Sequence, residues 1–573
     1  MSASPEAGAR PTKPPRQGVP WDSPAARPPQ RAGRWRPPCG SRPGAGAGPG
    51  GHARPAGGRW AIIAAILVLH GAPALGAAQG EPRPPGSPPQ GVLLISLDAF
   101  RADRISAAGY PRPTTPILDR FADEAVRFQQ AIGQSAWTSP GLVSLFTSLY
   151  PAVHGMDAQG KRFDGVTATP LHHLRAAGFR VLGYAATGDN FADLGFEPGR
   201  ELRSVAQLFA ALREVKDGRF FLWFHFRITH LPYNVLPQYE ALFPPPARRL
   251  SPNKLQRLLW QTVIRKGAVT FDAEDRPEIE ALYDAKVREQ DDALGAVLSE
   301  LQTLGLSERT LVVIVADHGE ELLDHGFVGH ASTSLAATLY DEILRIPLII
   351  RVPGGGPRGI VRDQVQQIDV MPTLFDLLGL KARGAMQGRS LLPLMLGTPD
   401  PHPVPAFSET NPCGWQCPEE RKHHRLKAVR TPEWKLIRGN ADGDAGQELY
   451  HLPTDPAERQ NLAAARPEVV RELESLLERQ ERTNLRAAAQ LATAAGQALV
   501  ERARRRFNAG DLEEASQALD RVEHLRQVYE TENPPFTREP ALRRRWFDVV
   551  GRAYALLGRV YLRRGDLLRG RTR

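Results

Sequence analysis

GVLLISLD, residues 91–98, is a short apolar run that ends on a carboxylate. A continuous run of this length, entered from the Pro-rich EPRPPGSPPQ (81–90), fits a strand buried on both faces. Similar runs follow at RVLGYAA (180–186), FFLWFHF (220–226), LVVIVAD (311–317) and IPLIIRV (346–352). Helical stretches lie between them, among them TPILDRFADEAVRF (115–128) and EIEALYDAKVREQDDALGAVLSELQTLG (278–305). Strand and helix alternating in this way predict a doubly wound α/β domain with a mostly parallel sheet. In such sheets chemistry gathers at the carboxyl ends of the strands.

Those ends carry the right residues. Asp98 closes the first run, and Asp317 with His318 closes the fourth. Two carboxylates and an imidazole are ready ligands for a divalent metal. A third element is WTSPGLVSLFTSLYP (137–151). Pro140 suits the first turn of a helix, which sets Thr138 or Ser139 at or just before the N-cap. A helix start presents free N–H groups to a tetrahedral oxyanion, and a hydroxyl there can act as a nucleophile beside a metal.

The rest of the 573 residues divides by texture. The net charge of +10 is concentrated at the ends: +8 in residues 1–59 and +6 in 501–573, leaving −4 between. No nucleic-acid signature accompanies it, and no nucleic-acid partner is expected. Residues 1–59 are a Pro/Gly/Arg-rich tail expected to be disordered. Residues 60–78 hold AIIAAILVL (61–69) behind Arg59 and small residues after it. This reads as a secretory signal or an uncleaved signal-anchor, too short for an ordinary span, and predicts export to a periplasmic or extracellular space, with membrane association through 60–78. A linker (79–90) leads into the α/β domain (91–395), then a smaller α+β subdomain (396–465). Cys413 and Cys417 in CGWQC are close enough for a local disulfide, while Cys39 lies in the tail. Residues 466–573 read as all helical and offer a surface for a protein partner. FNAGDLEEASQAL (507–519) and AYALLGRVYLRRGDL (553–567) are locally similar to tetratricopeptide helix pairs, though Gly510 and Gly565 do not keep that repeat's period.

GVLLISLDAFRAD, YPRPTTPILDRFADEAVRF, WTSP and LFTSLYPAVHG occur in the order found at the opening of sulfatase-family proteins, within the alkaline phosphatase superfamily. HLPY (230–233), VADHGEELLDHGFVGH (315–330), YDEILRIPLIIRVPG (340–354) and QIDVMPTLFDLLGL (367–380) continue the resemblance. KAVRTPEWKLI (427–437) and ELYHLPTDPAERQNL (448–462) resemble that family's C-terminal subdomain. The resemblance implies an alkaline phosphatase/sulfatase-type sheet and an ester hydrolase. It further implies Asp98, Asp317, His318 and Thr138 as ligands of a divalent ion (Ca, Mn or Zn), with Thr138 as the metal-bound nucleophile. His230 corresponds to a histidine contacting substrate or leaving group, and His330 to a Lys or His facing the anion. His154 and His325 are weaker candidates, each with a structural alternative, and Arg101 is expected to be an ion-pair partner.

The departures bear on substrate. Active sulfatases carry Cys or Ser, oxidised to formylglycine, in a motif that ends on Arg. Here the stretch is Thr138, Ser139, Pro140, Gly141, Leu142, so no formylglycine is expected and the arginine is lost. The family's GKWHLG stretch is TGDNFADLG (187–195). A threonine at this place is what phosphate-handling members use. The expected substrate is therefore an anionic phosphate or sulfate ester, with phosphate favoured. A second metal would need imidazoles from His225, His230, His325 or His330 and a carboxylate from Glu320 or Asp324. The alternatives are a transferase moving a phospho-group onto an envelope glycan or lipid, and a degenerate scaffold.

Overall fold

The computed structural model describes residues 88–156, 168–183, 191–200, 202–381, 384–400, 403–414, 417, 424–439, 446–532 and 540–564. The expected tail (1–59), the signal segment (60–78), most of the linker, and the TGDN part of 187–195 lie outside them. Among the described residues no helix is long and apolar enough to cross a membrane.

Strands β1 (Gly91–Leu97), β2 (Val126–Ile132), β3 (Arg180–Leu182), β4 (Phe220–Phe226) and β5 (Thr310–Ala316) come first, then the short pair β6 (Glu321–Leu322) and β7 (Val328–Gly329). β8 (Arg345–Arg351) and β9 (Gly359–Gln366) complete a seven-stranded sheet of order β3-β4-β1-β5-β8-β2-β9. β8 runs antiparallel to both neighbours, and the other pairings are parallel. The strands at 91–97, 220–226 and 310–316 are buried along their whole length, as continuous apolar runs require when helices cover both faces.

Three expectations need adjustment. The stretch 115–128 is not one helix: the helix Pro116–Asp123 stops, and Val126–Phe128 begin β2. Helix-compatible residues in VRF yield there to pairing with β8 and β9 on both sides. The run 346–352 does form a strand, but it is the antiparallel one, and β-branched composition carries no strand direction. The run 180–186 is strand only to Leu182, and its last three residues lie outside the described set.

Register then places the chemistry. Leu97 lies opposite both Phe226 and Ala316, so Asp98, Arg227 and Asp317 leave the sheet side by side at one edge. The helix Thr138–Thr147 points its first turn at that edge, and Ser139–Thr147 are all buried. Phe146 anchors it edge-on against Trp223, with ring centroids 4.7 Å apart, and its full burial contributes about 2–3 kcal/mol.

An antiparallel sheet, β10 (Ala406–Thr410), β11 (Leu426–Arg430), β12 (Trp434–Arg438) and β13 (Gln447–His451), forms the smaller layer. Cys413 and Cys417 are disulfide-bonded beside it. The 42-residue helix Pro467–Asn508 serves two cores. Its first half packs Val470, Leu473 and Leu477 against Phe407, Val429 and Leu436. Its second half joins the helices Leu512–Glu532 and Pro540–Arg564 around the buried Trp546. Between the first two tail helices, Gly510 adopts φ +83°, and Asp511 caps the next helix by accepting from the Glu514 N–H. That turn is the physical source of the tetratricopeptide-like Gly-Asp signal.

Candidate active site

Asp98, Asp317 and His318 converge as expected, with their ligand atoms within 4.8 Å of one another and their side chains fully buried. Asp317 spends one oxygen on backbone donors: Oδ1 accepts from Ala99 N (3.2 Å) and His318 N (2.8 Å). Its Oδ2 is buried without a hydrogen-bond partner, 3.5 Å from His318 Nε2. His318 donates from Nδ1 to the Gly319 carbonyl at 2.7 Å, which directs the Nε2 lone pair toward the carboxylates. An orphaned carboxylate oxygen, a second carboxylate and an oriented imidazole suit a divalent cation. Burial pushes the Asp317 carboxyl up, and the neighbouring Asp98 charge adds to this. Burial opposes ionisation of Asp98 too, but His230, His225 and Arg227 together hold it well below the usual carboxylate range.

Thr138 joins this set from the helix. Its Oγ1 lies 3.3 Å from Asp98 Oδ1 and 3.4 Å from His318 Nε2. The N-cap is Trp137, so Thr138 is the first helical residue and Pro140 the third, in the first turn as expected, but the cap precedes both Thr138 and Ser139. Two glycines allow the approach. A Cβ on Gly141 would stand 2.9 Å from the Asp317 carbonyl oxygen, and one on Gly319 only 1.9 Å from that of Glu342. The departure from Arg to Leu142 is absorbed by the core, where Leu142 is fully buried.

The imidazoles divide by partner. His330 sits 4.3 Å from His318 and 4.9 Å from His230 between ring centroids, so both expected substrate-facing histidines reach the site. His330 Nδ1 bonds Glu320 Oε1 (2.7 Å), while its Nε2 is buried without a partner. His230 Nδ1 donates to the Leu231 carbonyl (2.5 Å). Burial lowers the pKa of both rings, and for His230 the nearby Asp98 charge works against this.

His225 is more than a spare imidazole for a second metal. Trp223 Nε1 donates to Ser96 Oγ (2.7 Å), which meets His225 Nδ1 (2.8 Å), and His225 Nε2 lies 3.4 Å from Asp98 Oδ2. This buried chain orients Asp98 from behind. Arg227 Nε donates to the same Asp98 Oδ2 at 3.0 Å. Sequence reading passed over Arg227. The available signal was a His and an Arg at the carboxyl end of an otherwise apolar strand.

The remaining candidates make their contacts away from the Asp98, Asp317 and His318 group. His154 bonds Ser144 Oγ (3.0 Å) and accepts from Met156 N (3.1 Å). His325 is held by Glu342 and the Glu458 carbonyl and stacks on Tyr340. Arg101 pairs with Asp103 and Asp324, as expected of an ion-pair partner. Asp324 is fully engaged by Arg101 and Arg276, and Glu320 by His330 and Tyr233. Neither carboxylate joins the ligand group around Asp98 among the described residues.

Comparison with known proteins agrees with this geometry. The family described as Sulfatase matches residues 90–380, and that described as N-sulphoglucosamine sulphohydrolase, C-terminal, matches residues 336–483. Arylsulfatase K of Danio rerio is 30% identical over 223 residues, covering 38% of this chain and 40% of its own. The chain thus spans about two fifths of that relative's length. The multifunctional alkaline phosphatase superfamily protein PehA of Trinickia caryophylli is 27% identical over 399 residues, 53% of this chain and 76% of its own. A structure solved in complex with its substrate D-glucosamine-2-N,6-O-disulfate superposes with a TM-score of 0.56 at 20% identity, covering 70% of this chain and 98% of that one. With the first match spanning the whole α/β sheet and every strand end that builds the site, the chain belongs to the sulfatase family.

Proposed function

We propose that this chain hydrolyses phosphate or sulfate esters, phosphate mono- or diesters above all, with Thr138 as the attacking group. The observation that carries the reading is the Thr138 hydroxyl lying between Asp98 and His318. The names of the relatives, an arylsulfatase and a multifunctional alkaline phosphatase superfamily protein, support the range of esters.

Asp98, Asp317, His318 and the Thr138 oxygen would hold a divalent cation (Ca, Mn or Zn). Such an ion supplies Lewis acidity, lowering the pKa of a nearby hydroxyl and offsetting anionic charge. The chain's own residues do the rest. Thr138 Oγ forms the bond to phosphorus or sulfur, its proton leaving toward the Asp98 side, while the bond to the alcohol oxygen breaks and the alcohol departs with a proton from water. Water then cleaves the Thr138 ester, releases phosphate or sulfate and restores the hydroxyl. The helix amides around Thr138 face the developing oxyanion. His230 and His330 line the substrate side, where each ring can bond an ester oxygen. The Cys413–Cys417 disulfide supports an exported setting, in which the chain would meet such esters outside the cytoplasm.

The test is an acid quench during turnover of an aryl phosphate, followed by mass spectrometry of the peptide containing Thr138. Phosphothreonine at 138 is expected. Turnover with a phosphoryl group on another residue, or with none on any residue at any quench time, would overturn this role.

A further inference from the structure

Thr138 replaces the family's usual nucleophile, and the arginine expected four residues later is Leu142, fully buried among apolar side chains. The first helical turn therefore brings no cation to the ester. A cation at the same sheet edge stands on a different element. Arg227 follows β4 directly, and register sets it beside Asp98 and Asp317 at the sheet edge.

Burial and pairing separate Arg227 from its surroundings. The side chains of Asp98, Asp317 and His318 are 0% exposed and that of His225 is 1% exposed, but Arg227 is 41% exposed. Its Nε is fixed on Asp98 Oδ2, while Thr138 Oγ1 is on Oδ1 of the same carboxylate. One buried carboxylate thus holds the nucleophile on one oxygen and a solvent-reaching guanidinium on the other. That guanidinium stands one carboxylate away from the nucleophile. A guanidinium offers a planar fork of donors that fits two oxygens of a tetrahedral anion.

We infer that Arg227 binds the non-bridging oxygens of the substrate's tetrahedral anion, taking over from β4 the charge that the helix no longer provides. The inference rests on the ester-hydrolase reading above. The rival role is purely structural, in which Arg227 only neutralises Asp98. The two roles differ in what a substitution moves. An anion-binding arginine governs anion affinity and KM, whereas a mere counter-ion of Asp98 governs metal affinity.

The experiment titrates inorganic phosphate, and separately sulfate, into the metal-loaded full chain by calorimetry, for wild type, Arg227→Gln and Arg227→Lys. Metal affinity of each is measured by competition with a chromophoric chelator. Arg227→Gln should weaken phosphate binding about 10- to 100-fold and raise KM for an aryl phosphate similarly. Arg227→Lys should fall between, since a point charge replaces a fork. Metal affinity should hold within about threefold or tighten, because a competing cation leaves Asp98. Unchanged phosphate affinity in Arg227→Gln, or a loss of anion binding that only follows a loss of metal, overturns the assignment. If the wild type itself takes up neither anion and turns over no ester, the hydrolase reading falls, and this inference with it.

Discussion

Gly319 is the tightest point in the site, and replacing it by Ala tests whether backbone packing sets the His318 ring. The added Cβ would lie 1.9 Å from the Glu342 carbonyl oxygen and 3.2 Å from the Ile343 Cα, where real Cβ atoms keep at least 3.0 Å. The two segments must therefore part by about 1 Å or more, by the contact distances that close packing tolerates. Neither is loose. Gly319 N donates to Ile343 O at 2.7 Å, and Ile343 and Leu344 are buried. Overpacking plus a strained backbone hydrogen bond should cost about 3 kcal/mol. The same movement carries the Gly319 carbonyl, to which His318 Nδ1 donates at 2.7 Å, so the ring loses its anchor. Disturbing such an outer partner typically weakens metal binding about 10- to 100-fold. Urea denaturation measures the first effect, and chelator competition for Mn or Zn the second. Gly218→Ala is the control: its Cβ would meet only the Val215 carbonyl, at 3.9 Å, and should change stability by less than about 0.5 kcal/mol. Wild-type metal affinity in Gly319→Ala would refute the argument that this contact positions His318.

Other consequences follow from the same structure. Asp324 is held at about pKa 2: burial opposes ionisation, but Arg101 and Arg276 outweigh it. Because the folded pKa lies below the unfolded one, this stability is present above about pH 4 and is lost as the pH falls toward 2. Asp324→Asn should lose about 2 kcal/mol at pH 7, with the gap to wild type closing between pH 4 and pH 2 in urea titrations. Ser96→Ala breaks the bonds from Trp223 and to His225 in a fully buried position, and should cost about 2 kcal/mol in the same assay while weakening metal binding. Trp546→Ala removes the centre of the tail core and should destabilise helices 512–532 and 540–564 by about 3–5 kcal/mol, a separate low-temperature transition in calorimetry. Metal affinity and turnover should be unchanged, since that core is distinct from the one beneath the sheet.

Much of this site was readable before any coordinates. Asp98 and Asp317 end apolar runs too uniform for anything but doubly covered strands, and doubly wound sheets put chemistry at such ends. Pro140 and the apolar run marked a helix start carrying Thr138 and Ser139, and only the family resemblance chose Thr138. The helix begins before both, with Trp137 as its N-cap. What escaped reading was what depends on partners. β2 looked like the end of a helix because VRFQQAI carries no strong period, and its pairing with β8 and β9 decided the matter. The direction of β8 is set by its connection, not its composition. His225 was legible only as a spare imidazole for a second metal, and Arg227 carried no role until register placed it beside Asp98. His325 and Asp324 sit in the same motif as His330, yet loop geometry turns them toward Glu342 and Arg101 instead. The tail showed its helices and its Gly-Asp turn, but not that one helix would bridge two cores.

The most direct test of the central claim is steady-state hydrolysis of an aryl phosphate, a phosphodiester and an aryl sulfate by the full chain, with Ca, Mn or Zn or after chelation, beside Thr138→Ala. The account predicts turnover that needs the metal, favours a phosphate ester, and falls by at least about 10³-fold in the variant even at saturating metal. Turnover that survives in Thr138→Ala, or proceeds equally well after chelation, would contradict it.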